Sequence, residues 1–474
     1  MCYLESVEQL VLYYFPHRPT DDQLNACRAI VRFLFDSDPH ATFLLRGYAG
    51  TGKTSLVSAL IKVAPQLNIR TQLLAPTGRA AKVLSNYSGR KALTIHKKIY
   101  RTALAANGVM RMVRTENKHS YTLFIVDEAS MIGTENSSSG RSLLDDLIDY
   151  VQDGSHCRLL LLGDGAQLPP VGLAESPALD ADYLSAVYPL SVSQYEMREV
   201  VRQQHLSGIL ANATALRQLL QSQTPSFPSF ATHGFDDVMR LNGADLEETI
   251  NSLYDANDIE DTVIITRSNK RANLFNNAIR GRILFREEEI NAGDMIMVVK
   301  NNYFWVDADS DMGFVANGDV AEVLSVRHRE EMYGFHFVDA SLRFVDYPEV
   351  PEIDCKLILE TLSSESPSLT HEEAGRLYDA VMADYADLPT KAERLEELRK
   401  NPYYNALQVK FAYALTCHKT QGGQWRNVIV DQGFITDDMV DREFLRWLYT
   451  AVTRASERLY LLNFSDRFFA DAAE

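Results

Sequence analysis

Short apolar runs alternate with amphipathic stretches along the first third of the chain. Residues 42–45, 71–75, 123–126 and 158–162 are almost wholly apolar and too short for helices, so they read as strands buried on both faces. Between them, Leu56, Val57, Leu60 and Ile61 repeat at helical spacing. This alternation predicts an α/β fold with a parallel sheet flanked by helices. Further on, 263–266 reads as another buried strand and 268–282 as an amphipathic helix carrying Asn273, Asn276 and Asn277. Residues 320–326 and 335–345 instead alternate apolar with polar, as half-exposed strands do. One segment, 101–122, breaks the first pattern: Asn107-Gly108 sits between 103–106 and 109–113, and Asn-Gly is a strong hairpin-turn signal. A small inserted hairpin is expected there, either a working projection or mere decoration.

Length changes this picture first. With 474 residues, 46% of them hydrophobic, the chain exceeds what one core can hold, and more than one domain is expected. Cys2, Cys27, Cys157, Cys355 and Cys417 are scattered with no C-x-x-C pair, which argues for reduced thiols rather than a disulfide framework or zinc site. Glu5 and Glu8 stand where a signal peptide would carry basic residues, and no apolar run reaches the ~18 residues of a membrane span. A soluble, cytoplasmic protein without membrane contact is the expectation. The net charge of −17 speaks against a polyanionic partner only until it is mapped. Residues 236–261 carry −8 and 346–397 carry −10, leaving the remainder at +1. Those acidic stretches read as solvated faces, and a local groove for nucleic acid remains possible.

The candidate chemistry is concentrated at strand ends. Gly47-Tyr48-Ala49-Gly50-Thr51-Gly52-Lys53-Thr54-Ser55 follows a strand and opens a helix, the arrangement that cradles phosphates with backbone N–H groups. In that context Lys53 reaches the β- and γ-phosphates of ATP and the Thr54 hydroxyl binds Mg²⁺. Asp127-Glu128 closes the strand 123–126: Asp127 suits the Mg²⁺ shell and Glu128 the polarisation of an attacking water. Gln167, in the loop after 158–162, is placed to sense a γ-phosphate. Gln23 opens a helical pattern and carries an amide able to read an adenine edge, although an exposed helix-terminal glutamine is the commoner reading. Pro76, Thr77 and Arg79 follow the second strand; Thr94 and His96 repeat that chemistry about fifteen residues later, at the sheet edge where such folds bind ligands.

Taken in order, Gln23, GYAGTGKTS, APTGRAAK, TIHKKIY, IVDEASMIG and GDGAQLPPVG resemble the superfamily 1B helicases of the RecD-like and Dda-like branch, which are AAA-type P-loop ATPases. Later segments continue the resemblance: EVVRQ at 199–203, TCHKTQG at 416–422 and YTAVTRA at 449–455. The resemblance implies two tandem RecA-like P-loop domains, with an inserted β-hairpin and an inserted small SH3-like β domain. The implied boundaries are 1–190 for the first domain with its hairpin at 101–122, 191–304 and 408–474 for the second, and 305–407 for the inserted domain. The acidic helical part, 371–400, exceeds a bare barrel. Arg202 and Arg454 match the family's arginine fingers, Gln23 its adenine reader and Gln167 its γ-phosphate sensor. Gly422 and Gln424 are implied near the nucleotide. Pro76, Thr77, Arg79, Thr94 and His96 with Thr416, His418 and Lys419 match its single-strand contacts, and Asn107-Gly108 its strand-separating pin.

The implied activity is an ATP-dependent DNA helicase and single-strand translocase moving 5′ to 3′, acting as a monomer on single-stranded and tailed duplex DNA in replication, recombination or repair. Two other readings compete. One is an RNA-directed helicase, since stacking and phosphate contacts do not by themselves distinguish the sugars. The other is a P-loop ATPase that binds or signals without unwinding.

Overall fold

A computed structural model describes residues 3–104, 110–135, 140–201, 207–222, 227–307, 310 and 312–469. Its first lobe is a six-stranded, wholly parallel sheet in the spatial order Ala92–Thr94, Arg70–Ala75, Thr122–Val126, Arg158–Gly163, Ala41–Gly47, Ser191–Met197. The pleat explains why its strands are apolar throughout. Phe43, Leu45, Leu123, Ile125, Leu160 and Leu162 point to one face and meet helices Tyr3–Tyr13, Asp21–Leu34, Lys53–Val63 and Gly78–Ser88. Their neighbours Leu44, Phe124, Val126, Leu159 and Leu161 point the other way and meet helix Leu143–Gln152.

A second parallel sheet orders Ala414–Thr416, Thr262–Thr266, Trp425–Asp431, Ala455–Leu462 and Val238–Leu241. The two-lobed architecture matches the expected tandem RecA-like domains. Both the phosphate loop and the Asp127-Glu128 pair leave the C-terminal ends of first-lobe strands, separated by the strand Arg158–Gly163. Parallel sheets bind ligands at that edge.

Inserted in the second lobe, Met295–Val298, Val320–Met332, Phe335–Phe344, Ile353–Ile358 and Leu407–Phe411 close into a barrel, the expected small β domain. Its long hairpin turns at Tyr333 and Gly334, with φ of 56° and 72°. Two consecutive left-handed residues match the right-handed twist of the strands they join. The acidic segment acquires a structural account here. Helices His371–Asp384 and Lys391–Lys400 bury Leu377, Val381 and Leu398 against Phe335, Phe337 and Ile358, so the acids are the solvent side of a cover over the hairpin's tip. The predicted helix over 268–282 runs as an α-helix only from Asn269 to Ala278 and then widens into a π-helical turn, Ile279–Ile283. That turn carries Arg280, whose buried guanidinium pairs with Asp294 at 3.0 Å and anchors the chain entering the barrel.

Strands Tyr100–Leu104 and Met110–Arg114 pair antiparallel as the expected hairpin; its tip, with Asn107 and Gly108, lies outside the described residues. Cys27, Cys157, Cys355 and Cys417 are free and buried. Among the described residues no helix is long and apolar enough to cross a membrane, and no group of three or more histidine, cysteine or acidic side chains could hold a metal.

Candidate functional site at the seam of the two lobes

The phosphate loop depends on two left-handed glycines, Gly50 at φ 77° and Gly52 at φ 83°. A Cβ at Gly52 would lie 2.3 Å from the Gln23 amide nitrogen, so this position excludes any side chain. The helix that follows, Lys53–Val63, starts without a side-chain cap, which leaves its first N–H groups facing the cavity. Lys53 Nζ donates to the Gly47 and Tyr48 carbonyls, and the Thr51 hydroxyl donates to the Tyr48 carbonyl at 2.8 Å. Ser55 continues the helix beyond Thr54.

A cavity of about 300 Å³ opens over this loop. From the first lobe Gly50, Gly52, Lys53, Thr54, Asp127, Glu128 and Gln167 line it; from the second come Gln424, Thr453 and Arg454. Residues more than 400 positions apart thus share one site. Glu128 sits at φ 53°, a strained conformation for a residue with a side chain, and burial raises its carboxyl above the usual range while Arg454 pulls the other way. Arg454 is itself buried, held by the carbonyls of Thr450 at 3.1 Å and Gly423 at 3.2 Å.

The site fits a nucleoside triphosphate with its metal. The uncapped helix end and the glycine cradle suit phosphates. Thr54 and Asp127 supply hard oxygen ligands of the kind Mg²⁺ takes in small number beside phosphates and water. Asp127 accepts from the Glu128 N–H at 2.8 Å and from the Tyr87 hydroxyl, so its carboxylate is oriented before any ion arrives. Tyr87 also lines the cavity and escaped sequence reading: it ends the helix Gly78–Ser88 with nothing local to mark it.

Two expected nucleotide contacts are placed differently. Gln23 is buried behind the loop, its Nε2 donating to the Thr51 carbonyl at 3.0 Å and its Oε1 accepting from the Thr20 N–H at 3.0 Å. Its amide braces the loop and caps its own helix, and reading a base would require it to let go of both. Gly422, at φ 73°, packs against the first lobe, where a Cβ would meet the Ala80 Cβ at 2.7 Å and the Thr77 hydroxyl at 3.3 Å. Arg202 lies outside the described residues.

The predicted single-strand contacts fall on corresponding places in the two lobes. Thr94 closes the edge strand Ala92–Thr94 and Thr416 closes the edge strand Ala414–Thr416; each precedes a short helix bearing His96-Lys97 or His418-Lys419. The Thr77 and Thr94 hydroxyls accept from the N–H groups of Ala80 and Lys97, capping their helices and keeping a donor proton for a ligand. Pro76 enters the same turn as Thr77. Burial lowers the His96 pKa, so its ring is neutral near pH 7. Arg79 is committed elsewhere: its guanidinium lies 4.0 Å from the Trp425 ring and donates to the Gln424 carbonyl at 3.4 Å, joining the lobes.

An AAA domain family model matches residues 19–234, and a UvrD-like helicase C-terminal domain model matches 411–462. The chain is 24% identical to an ATP-dependent RecD2 DNA helicase of Deinococcus radiodurans over 89% of its own length and 47% of that protein's. It is 26% identical to the ATP-dependent DNA helicase dda of Enterobacteria phage T4, covering 59% of this chain and 60% of the relative. The chain therefore spans about half to three-fifths of those two curated relatives. A Pif1 helicase structure from Bacteroides, in complex with ADP-AlF3 and ssDNA, superposes with a TM-score of 0.47 at 15% identity, over 95% of this chain and 94% of the other.

Proposed function

The chain belongs to the superfamily 1B helicases, and from that premise we propose that it is an ATP-dependent DNA helicase and single-strand translocase. The observation that carries this reading is the position of the Lys53 cavity on the seam, with Glu128 and Gln167 on one wall and Arg454 on the other. A triphosphate bound there draws the lobes together, and its hydrolysis releases them. Lys53 holds the β- and γ-phosphates, Glu128 polarises the water, Gln167 senses the γ-phosphate and Arg454, with Arg202, meets the charge developing in transfer. Thr54 and Asp127 would hold Mg²⁺, which neutralises phosphate charge when bound.

The edge-strand residues Thr94, His96, Thr416, His418 and Lys419, with Pro76 and Thr77, form the proposed track for a single strand. Small polar groups there favour phosphate and sugar contacts over base reading. The hairpin around Asn107-Gly108 is the proposed wedge at a duplex fork. Movement 5′ to 3′, a role in replication, recombination or repair and action as a monomer rest on the family resemblance, and a cytoplasmic place on the scattered, free thiols. Unwinding of duplexes with a 5′ or a 3′ single-stranded tail tests the proposal. Separation of the 5′-tailed duplex with ATP, lost in Lys53→Ala, is expected; separation of the 3′-tailed duplex alone refutes the polarity. ATP turnover indifferent to single-stranded DNA but raised by RNA refutes the substrate.

A further inference from the structure

A second cavity of about 290 Å³ adjoins the nucleotide cavity, and Tyr48, Asp164 and Gln167 line both. Four arginines converge on it. Arg46 comes from the strand that leads into the phosphate loop, Arg217 from helix Gly208–Gln221, and Arg442 and Arg446 from helix Arg442–Val452. The first three donate to neutral acceptors: Arg46 to the Gln194 amide oxygen at 2.7 Å, Arg217 to the Arg198 carbonyl at 3.1 Å, and Arg442 to the Leu220 carbonyl at 3.0 Å. Among the described residues none of these three has a carboxylate at ion-pair distance. Arg446 has one, the exposed Glu175 at 3.5 Å.

Part of the polar capacity around the cavity is unused. The Nε atoms of Arg46 and Arg217 and the Ser130 hydroxyl are buried without hydrogen-bond partners. The acids nearby are already engaged: Asp164 accepts from the Tyr449 hydroxyl at 2.6 Å and the Ala166 N–H at 2.9 Å, and Glu196 accepts from the Tyr48 hydroxyl at 2.9 Å and from Arg198. Guanidinium groups that are short of anionic partners and share one cavity form an oxyanion site, because their planar forks match tetrahedral oxyanions.

We infer that this cavity is a phosphate station: it receives the inorganic phosphate formed in the adjoining nucleotide site. The inference rests on the Lys53 cavity hydrolysing a nucleoside triphosphate. In that reaction the water oxygen bonds to the γ-phosphorus and gives up a proton to Glu128 as the bridging bond to the β-phosphate oxygen breaks, leaving a nucleoside diphosphate and free phosphate. The phosphate forms beside Gln167, a residue that lines both cavities. The second cavity holds the ion and several waters, at ~30 Å³ for each water. Phosphate can thus leave the nucleotide site before the diphosphate does.

The test separates cleavage from release. Rapid quenching measures cleavage, and a fluorescent phosphate-binding reporter measures release, in the full chain and in an Arg46→Gln/Arg442→Gln double variant. Cleavage within twofold of the parent, release slowed by about tenfold, and inhibition by added inorganic phosphate weakened by about tenfold are expected, one decade corresponding to ~1.4 kcal/mol. The Arg46→Lys/Arg442→Lys variant should recover part of the release rate. Release that keeps the parental rate overturns the inference, as does cleavage falling in step with release in a variant whose thermal unfolding is unchanged. If the parent does not hydrolyse ATP, the nucleotide reading itself fails. Calorimetric titration with inorganic phosphate then judges the arginine cavity alone: saturable binding lost in the double glutamine variant supports it, and no binding refutes it.

Discussion

The hydroxyl of Tyr449 donates to the Asp164 carboxylate at 2.6 Å and accepts from the Ala49 N–H at 2.9 Å. One second-lobe side chain thereby ties together the phosphate loop and the loop that carries Gln167. Thr450 repeats the connection one residue on, its hydroxyl accepting from the Leu168 N–H at 2.8 Å. A movement of either loop is felt in the helix Arg442–Val452, and through it in the other lobe.

Replacing Tyr449 by phenylalanine keeps the ring and leaves one oxygen of the buried Asp164 carboxylate and the half-buried Ala49 N–H without this partner. The expected cost is ~1–3 kcal/mol of stability, the usual penalty for leaving a buried group unpartnered. Because the hydroxyl joins the lobes, stimulation of ATP turnover by single-stranded DNA should fall more than the unstimulated rate. Chemical denaturation and ATPase assays with and without DNA measure the two effects, and an unchanged stimulation ratio refutes the coupling role.

Glu128 is expected to set the acidic limb of the ATPase pH profile. Burial raises its carboxyl, so the base is protonated, and turnover depressed, at pH values where an ordinary glutamate would be ionised. Activity should therefore rise with pH along a limb displaced upward from ~4.3, the ordinary glutamate value. Glu128→Gln should remove that limb and lower turnover by about 10²–10⁴-fold, the range for a lost general base, while fluorescent nucleotide binding persists.

Lys419 gives the proposed DNA track a pH dependence of the opposite sign. Burial, with Lys410 nearby, brings its ammonium down to about 8, so positive charge is lost as pH rises through that value. Single-strand affinity should decline between pH 7 and 9, as fluorescence anisotropy would report. Lys419→Arg should flatten the decline, because arginine keeps its charge throughout. Lys410 titrates in the same range and remains in this variant. A decline that persists unchanged assigns the effect to Lys410.

Asp319 marks where the barrel meets the first lobe. Its buried carboxyl is pushed up to about 8 by desolvation; one oxygen accepts from the Ala316 N–H at 2.7 Å, and the other faces Gly78 without a partner. The folded chain retains this proton up to about pH 8, whereas an unfolded aspartate releases it near ~3.9. Stability contributed by the protonated group is thus lost progressively as pH rises between those values. Asp319→Asn can still accept from Ala316 and carries no charge to desolvate. Its melting temperature should match the parent near pH 4 and exceed it by about 2 °C or more at pH 8. Equal melting temperatures across the range refute the assignment.

Local signals carried much of this protein. Buried strands such as Thr122–Val126 and Arg158–Gly163 were legible because a parallel sheet covered on both faces demands unbroken apolar runs. The phosphate loop was legible because glycine spacing is itself a backbone constraint. Lys53, Asp127, Glu128, Gln167 and Arg454 could be named from motifs, and they line one cavity. Tertiary structure decided what no neighbourhood along the chain encodes. Tyr87 reaches Asp127 from the end of a helix, Gln23 braces the loop from behind, Arg79 stacks on Trp425 across the seam, and Arg46, Arg217, Arg442 and Arg446 share one cavity. The physical reason is range. Strand and helix preferences and glycine turns act over a few residues and leave a periodic trace, whereas a polar side chain's role depends on which distant group packing brings within about 3 Å of it.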